Sequence, residues 1–308
     1  MAQGVCMGHH ARMNMKPRSP GTGTQPALAL APLPTEAFLK RIGIPSRPST
    51  LVYLQNEIAG ADPDIRRIAD LVASDVALTI ATLRIVNSPA FALSHRCETV
   101  TQAISMLGLQ QLNVIVTGLT LRNLIRGDAR QLQEFWDISS KRAYALSRLA
   151  RDLGLVAVPV AQLFGLFCDI GIALLLQRFA DYGQTLIVCS SEVGRCFTAP
   201  EQDRHDTDHA QMGALMARSW GLSPTVCQAI ALHHDYSVFA DPKVSETVTR
   251  LIAMNLLAEV AIQRFAGQPS STEWDKGGDH ASGTLVLNGQ DTEDWIDRLL
   301  HDFADGLG

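Results

Sequence analysis

The sequence predicts an all-α protein, and three observations lead to this fold class. Apolar residues recur at helical spacing from about residue 34 to about residue 265, with no convincing alternating strand pattern among them. The chain is 46% hydrophobic but only 6% aromatic, so the core is expected to consist mainly of Leu, Ile, Val and Ala. Proline or glycine follows several of the periodic stretches, as is typical of helix ends.

The first predicted helices are bounded by capping and stop signals. One covers 48–59, where Ser49 can act as the N-cap. The next opens at Asp62-Pro63, because proline fits the first turn of a helix. Ser74 caps a third helix that ends before Pro89, since proline cannot continue the hydrogen-bond ladder.

The later helices follow the same periodicity. A short helix begins at Thr101 and stops at Gly108, because glycine readily ends a helix. Further helical stretches are predicted at 109–124, 134–153, 155–176, 180–193, 207–219, 224–233 and 244–266.

The chain ends are predicted to differ from this helical body. Residues 1–33 lack periodicity and are rich in Gly, Pro and Thr, which indicates a disordered tail. Residues 266–290 are rich in Gly, Ser and Thr and are expected to form a loop. Residues 291–308 place apolar side chains at helical spacing among acidic ones, which predicts a C-terminal acidic amphipathic helix.

Composition argues against nucleic acid as a partner. The net charge is −5 and the pI is near 6.0, whereas phosphate binding needs a basic face. Residues 100–119 superficially resemble a helix-turn-helix, but their second helix carries no Lys or Arg, so DNA is not expected as a partner. The N-terminal residues lack the apolar block of a signal peptide, and the six cysteines form no Cys-x-x-Cys pair. A cytoplasmic protein with reduced thiols is therefore expected.

The apolar run from Leu155 to Leu176 is long enough to cross a membrane. Pro159, Gln162 and Asp169 interrupt it, however. A central Asp costs about 2.5–3.5 kcal/mol on insertion, so this run is predicted to be a buried helical segment and a membrane is not expected as a partner.

Asp169 is a carboxylate in apolar surroundings, which needs a cation or hydrogen-bond donors to compensate it. His209 and the tandem pair His233-His234 are the residue types that would complete a metal site. The structural alternative is that Asp169 caps a helix or pairs with a histidine. Neighbouring residues on a helix differ by about 100°, so only one of His233 and His234 is expected to be buried. His205 is predicted to lie at a solvated helix start.

Two groups of motifs point to one family. The first is SDVALTIATLRIVNSPAF (74–91) followed by VTQAISMLGLQQL (100–112). The second begins with LFGLFCDIGIALLL (163–176) and continues with Asp208-His209, Trp220-Gly221-Leu222-Ser223-Pro224 and His233-His234. In this order and spacing the chain resembles the HDOD family, bacterial signalling domains related to the HD phosphohydrolases, over roughly two thirds of its length.

The resemblance implies a helical domain over 34–265 with two lobes, at 34–130 and 131–265. It also implies a non-catalytic regulatory role in bacterial signal transduction, through contacts with signalling proteins. Catalytic relatives hold metal with an early helix His, a consecutive His-Asp pair and later His and Asp residues. Here Ile138 lies about where the first His is expected, and Cys168 replaces the His of the pair. Losing two histidines weakens a dinuclear centre, so a degenerate metal site with no catalytic residue and no required cofactor is expected.

Two other functions stay open. One carboxylate with two or three imidazoles can hold a single Zn or Fe ion, which would suit a mononuclear metal-dependent phosphohydrolase. A nucleotide-binding receptor without turnover would instead use a basic patch within 122–151, although a solvated helix face is the simpler interpretation. That patch consists of Arg122, Arg126, Lys141, Arg142 and Arg148. A homo-oligomer is compatible with each of these functions.

Overall fold

Helices make up the regular structure of the chain, as a computed structural model shows for residues 35–306, without 92, 269 and 270. No strand occurs in these residues, so the predicted all-α fold class is confirmed. The disordered tail predicted for 1–33 lies outside the described residues.

The amino-terminal helices are short and connected by tight turns. They are α1 (Glu36–Arg41), α2 (Ser49–Ala59), α3 (Ile65–Ala73), α4 (Val76–Val86), α5 (Val100–Leu107) and α6 (Leu109–Leu124), with one 3₁₀ turn at Pro89–Phe91.

The later helices include the two longest. They are α7 (Ala129–Leu153), α8 (Val158–Phe167), α9 (Ile170–Arg178), α10 (Tyr182–Ser190), α11 (Ala199–His205), α12 (His209–Ser219), α13 (Pro224–Leu232), α14 (Glu246–Phe265), α15 (Thr272–Leu285) and α16 (Gly289–Ala304), with a 3₁₀ helix at Tyr236–Ala240.

Side-chain caps fix several helix starts one or two residues away from the predicted positions. The Asp64 carboxylate accepts hydrogen bonds from the first-turn amides of α3, and Asp75, rather than Ser74, caps α4. Thr99 and Gln102 form a reciprocal capping box at the start of α5. These caps satisfy amide groups that have no partner inside the helix.

The predicted loop at 266–290 is wrong for most of its length, because α15 occupies Thr272–Leu285. Its glycines serve close packing. A Cβ on Gly277 would lie 2.9 Å from Cγ of the Tyr236 ring, closer than real Cβ contacts allow. The glycine-rich composition therefore reflects a tight helix contact, which composition alone does not distinguish from a loop. The C-terminal helix α16 begins at Gly289 and ends at Ala304, against the predicted 291–308.

The apolar run forms two helices, α8 and α9, which meet at Cys168 and Asp169. By length and composition, Val158–Arg178 passes the test for a membrane-crossing helix, but more than half of its most apolar window is buried inside the fold. The buried core helix of a folded protein passes the same test.

The core is centred on α14, which is buried on all sides over most of its length and packs against α7, α13, α15 and α16. On another side of the core, α9 and α12 touch through their backbones. A Cβ on Gly171 would overlap the carbonyl group of His209, so glycine permits this contact. The contact brings the start of α12 beside Asp169, which precedes α9.

Candidate metal centre

Four side chains converge at the meeting point of three helix ends. Asp169 lies between α8 and α9, His209 is the first residue of α12, and His233 and His234 follow α13 directly. One ligand atom from each of the four lies within 4.8 Å of the others. The structure therefore brings together the four residues that the sequence analysis selected.

His209 is fully buried and is oriented by Glu201, which is also fully buried. Its Nδ1 lies 2.8 Å from Oε2 of Glu201, and its backbone amide donates to the same oxygen at 3.1 Å. Tyr182 donates its hydroxyl to the other oxygen of Glu201. Burial acts to lower the pKa of His209, but the Glu201 carboxylate outweighs it and raises the pKa to about 9.

His233 is held by a backbone carbonyl. Its Nδ1 lies 2.7 Å from the oxygen of Ile230, while its Nε2 lies 3.3 Å from Oδ1 of Asp169. Burial acts to lower the pKa of His233, but Cys168 and Asp169 outweigh it and raise the pKa to about 10. The Nε2 atoms of His209 and His233 are 3.2 Å apart. A hydrogen bond between them requires one bare nitrogen, so only one of the two rings can carry the additional proton.

His234 also turns towards the centre, contrary to the expectation that one of the tandem histidines is exposed. Both residues lie beyond the last turn of α13, so the 100° helical rotation does not apply to them. Nδ1 of His234 lies 2.7 Å from Oε2 of Glu273, and its ring stacks on Phe197 at 4.5 Å between centroids. Burial and the neighbouring His233 lower its pKa to about 4.

Glu273 comes from α15 and is shared by several donors. Tyr236 donates its hydroxyl to Glu273 at 2.6 Å, and Nζ of Lys276 lies 2.7 Å from its other oxygen. Burial acts to raise the pKa of Glu273, but these donors and His234 lower it to about 2.

Asp169 does not cap α9, since its side chain makes no hydrogen bond to the first-turn amides. Instead, its Oδ2 lies 2.7 Å from Nη2 of Arg142, and the same nitrogen lies 2.7 Å from Oε2 of Glu259. Burial acts to raise the pKa of Asp169, but Arg142 and the two histidines hold it well below its usual value. Asp169 was predicted to need a compensating cation, and Arg142 of the same chain provides it.

Arg142 was predicted to belong to a surface patch, and the structure contradicts this, because only 1% of the residue is exposed. The periodicity of α7 turns it inward towards Asp169. Its Nε and Nη1 are buried without a hydrogen-bond partner in the described residues.

The other members of the predicted basic patch are dispersed. Arg122 and Arg126 are exposed. Lys141 lies over the Phe265 ring, with Nζ 5.5 Å from its centroid. Arg148 pairs with Asp152 at 2.9 Å and with Asp302 at 3.6 Å. These contacts divide the patch into separate sites.

Two further residues singled out by the sequence, Cys168 and His205, lie outside the four-residue cluster. Cys168 is fully buried, and burial raises the pKa of its thiol, although His233 acts to lower it. His205 ends α11 instead of starting a helix; its Nε2 lies 2.8 Å from Oγ1 of Thr185, and its ring stacks on Phe179. It takes no part in the four-residue cluster.

The donor set fits one divalent ion. Each histidine has its Nδ1 fixed by an acceptor: Glu201 for His209, the carbonyl of Ile230 for His233 and Glu273 for His234. Such outer contacts fix the ring orientation of metal-binding histidines and leave Nε2 for the ion. With one oxygen of Asp169, the three nitrogens would supply four ligands, the number that a structural zinc site uses. The second oxygen of Asp169 is engaged by Arg142, so it is not available to bridge a second ion.

Sequence reasoning missed four residues of this centre: Arg142 as a buried partner, and Glu201, Glu259 and Glu273. Each lies far along the chain from the side chain it contacts or within a stretch that looked solvated. The one available signal was Glu259 itself, the single charged residue in the apolar stretch 251–262 of α14, where it is half-buried.

Comparisons with known proteins show related sequences and related folds. A profile of the HDOD domain matches residues 44–236. An uncharacterised protein of Treponema pallidum (strain Nichols) is 24% identical over 226 residues, which cover 73% of this chain and 43% of that protein. The uncharacterised protein YuxH of Bacillus subtilis (strain 168) is 28% identical over 163 residues, which cover 53% and 38%. The match thus spans less than half the length of either relative.

Solved structures show the same fold. An HDOD domain protein of unknown function from Geobacter sulfurreducens superposes with a TM-score of 0.64 at 19% identity, covering 87% of this chain and 93% of that one. A Shewanella amazonensis SB2B protein provisionally named a phosphohydrolase superposes with a TM-score of 0.61 at 19% identity. The superposition covers 87% of this chain and 100% of that one. A Marinobacter aquaeolei VT8 protein provisionally named a signal transduction protein superposes with a TM-score of 0.65 at 17% identity. The superposition covers 86% of this chain and 58% of that one.

The profile match covers well over half of the chain and includes all four residues of the metal cluster. It also agrees with the motifs from which the resemblance was drawn. The chain therefore belongs to the HDOD domain family.

Proposed function

We propose that this protein is a non-catalytic HDOD module that regulates bacterial signal transduction in the cytoplasm through contacts with signalling proteins. The observation that supports this most is the ion pair between Arg142 and Asp169. Hydrolysis by a dinuclear site uses two ions, a few ångströms apart, to hold the attacking and leaving oxygens. Here the guanidinium of Arg142 engages one oxygen of Asp169, so that oxygen would not be free to hold a second ion.

The composition of the ligand set supports the same proposal. Cys168, at the position of the His in the His-Asp pair, is fully buried and is not a member of the four-residue cluster. Four protein ligands also fill a tetrahedral zinc shell, whereas catalytic zinc sites keep a position for water. A bound ion would then stabilise the meeting point of α9, α12 and α13 rather than activate water.

The decisive experiment combines metal analysis with turnover. The protein is purified without a His-tag, its metal content is measured, and phosphomonoester, phosphodiester and nucleotide hydrolysis are assayed with added Zn²⁺, Fe²⁺ and Mn²⁺. We expect at most one ion per chain and no turnover above that of Asp169→Ala. Metal-dependent turnover that is lost in Asp169→Ala but kept in His301→Gln, an exposed histidine outside the cluster, would overturn the proposal.

The second candidate is a mononuclear metal-dependent phosphohydrolase. The three histidines with fixed Nδ1 atoms favour it, because they are prepared for metal. A bound ion would supply Lewis-acid activation of water or phosphate. The residues of this chain would then orient the histidines and hold the charge of Asp169. The same turnover assay separates this candidate from the regulatory module.

A further inference from the structure

A cavity separate from the metal cluster lies between the amino-terminal helices and the α7–α8 pair. Its volume is about 320 Å³, which is within the range of small-molecule sites. None of the four cluster residues lines it. Its walls come from α4, the following 3₁₀ turn and α6 on one side, and from α7 and α8 on the other.

The interior of this cavity is apolar and partly aromatic. The side chains that form its apolar walls are Ile85, Phe91, Ile115, Leu119, Trp136 and Leu166. Glycine at 118 leaves space on the α6 side, because a Cβ there would already lie 3.1 Å from Leu166. Such walls favour a compact ring system over a hydrated ion.

The mouth of the cavity carries positive charge without a counter-ion. Arg122 and Arg151 line it and are exposed, and neither forms an ion pair within the part of the chain that the structure describes. Arg148 also lines the cavity, but Asp152 and Asp302 already neutralise it. The net charge available to an occupant is therefore positive.

Polar donors inside the cavity are also available. Trp136 is 6% exposed, and neither its indole N–H nor the hydroxyl of Ser140 has a hydrogen-bond partner among the described residues. Two open donors beside apolar walls and two unpaired guanidinium groups are complementary to an acceptor-rich anionic group on an apolar body.

We propose that this cavity binds a small aromatic anion, that is, an apolar ring system carrying one acidic group. The site does not depend on the metal cluster. The proposal extends the proposed regulatory function. Binding itself does not depend on that function, whereas the role of the bound anion as a signal rests on it. Because its two walls belong to the two lobes expected from the family, an occupant would contact both and change how they pack.

The test is calorimetry of the full chain with 1-naphthyl phosphate as the probe and 1-naphthol as its uncharged counterpart. We expect saturable binding of one phosphate probe per chain and binding of 1-naphthol weaker by about tenfold or more, which corresponds to about 1.4 kcal/mol. The double variant Arg122→Gln/Arg151→Gln is expected to lose at least a similar factor. Arg126→Gln, an exposed arginine that does not line the cavity, is the matched control and should bind like the wild type.

Filling the cavity gives an independent check. Ser140→Leu adds apolar volume at a half-buried lining position and should abolish binding while circular dichroism shows an unchanged fold. Absence of saturable binding to the wild type overturns the proposal. So does binding to Ser140→Leu, or to the arginine double variant, that is as tight as binding to the wild type. Phosphate release from the probe, followed separately, would contradict the proposed non-catalytic function without changing the comparison of affinities.

Discussion

At the scale of a single residue, Arg142 compensates the negative charge of the metal centre. A buried carboxylate is costly without compensation, and a guanidinium bound to Asp169 and Glu259 provides it within the folded chain. Two buried nitrogens of Arg142, Nε and Nη1, have no hydrogen-bond partner among the described residues, which is itself unfavourable. The guanidinium therefore compensates the charge of Asp169 with or without a bound ion.

Replacing Arg142 tests this directly. Arg142→Met should lower the free energy of unfolding by about 3–5 kcal/mol, because it removes the guanidinium that Asp169 and Glu259 share. Urea denaturation measures the change. In the double variant Arg142→Met/Asp169→Asn the loss should be smaller than the sum of the two single losses, since both act on one interaction. A loss below about 1 kcal/mol in Arg142→Met would show that the ion pair contributes little.

Glu273 should influence metal binding through His234 alone. Glu273→Gln weakens the acceptor that orients this ring, and loss of such an outer contact typically costs about 10–100-fold in metal affinity. Competition with a chromophoric chelator measures zinc affinity in the wild type and the variant. Glu293→Gln, which alters an exposed ion pair with Arg264, is the control, and an equal affinity in all three proteins would contradict the assigned role.

The helix α15 shows how a single element contributes to the site. It was predicted as a loop, yet it supplies Glu273 and packs against α14 and the 3₁₀ helix at Tyr236–Ala240. Glycine has low helix propensity, about 1 kcal/mol below alanine, so its abundance indicated a loop. Close packing against the Tyr236 ring outweighs that propensity.

Two glycines of α15 make a matched pair for testing this explanation. Gly277→Ala should reduce stability by about 1–2 kcal/mol, because its Cβ collides with the Tyr236 ring. Gly283→Ala on the same helix has nothing within 4 Å of the added Cβ, so it should raise stability by up to about 1 kcal/mol. Thermal unfolding compares the two, and equal effects of both changes would show that propensity alone controls this helix.

For the whole molecule, the metal cluster joins segments that are distant in sequence. Asp169, His209 and the His233-His234 pair close contacts between α9, α12 and α13. An ion bound to the native state alone stabilises it by mass action, by about 2.7 kcal/mol at a free concentration of 100 times the dissociation constant.

Zinc should therefore raise the unfolding temperature of metal-free protein, and a chelator should reverse the effect. His209→Gln should abolish the shift, because it removes one of the four ligands, whereas His301→Gln should keep it. Differential scanning calorimetry measures both. A wild-type unfolding temperature that does not change with zinc would show that the cluster is a hydrogen-bonded remnant without metal.

The sequence by itself determined the helical class, most helix positions, the family and the four residues of the cluster. These properties depend on periodicity, capping and short motifs, which involve residues that are close together in sequence. Only the tertiary structure decided that Arg142 is buried against Asp169, that His233 and His234 both face the centre, and that α15 is a helix. Each of these depends on contacts between residues far apart in sequence, such as Arg142 with Glu259 and His234 with Glu273. Local patterns carry no record of the partner, so packing alone fixed the charges around the carboxylate of Asp169.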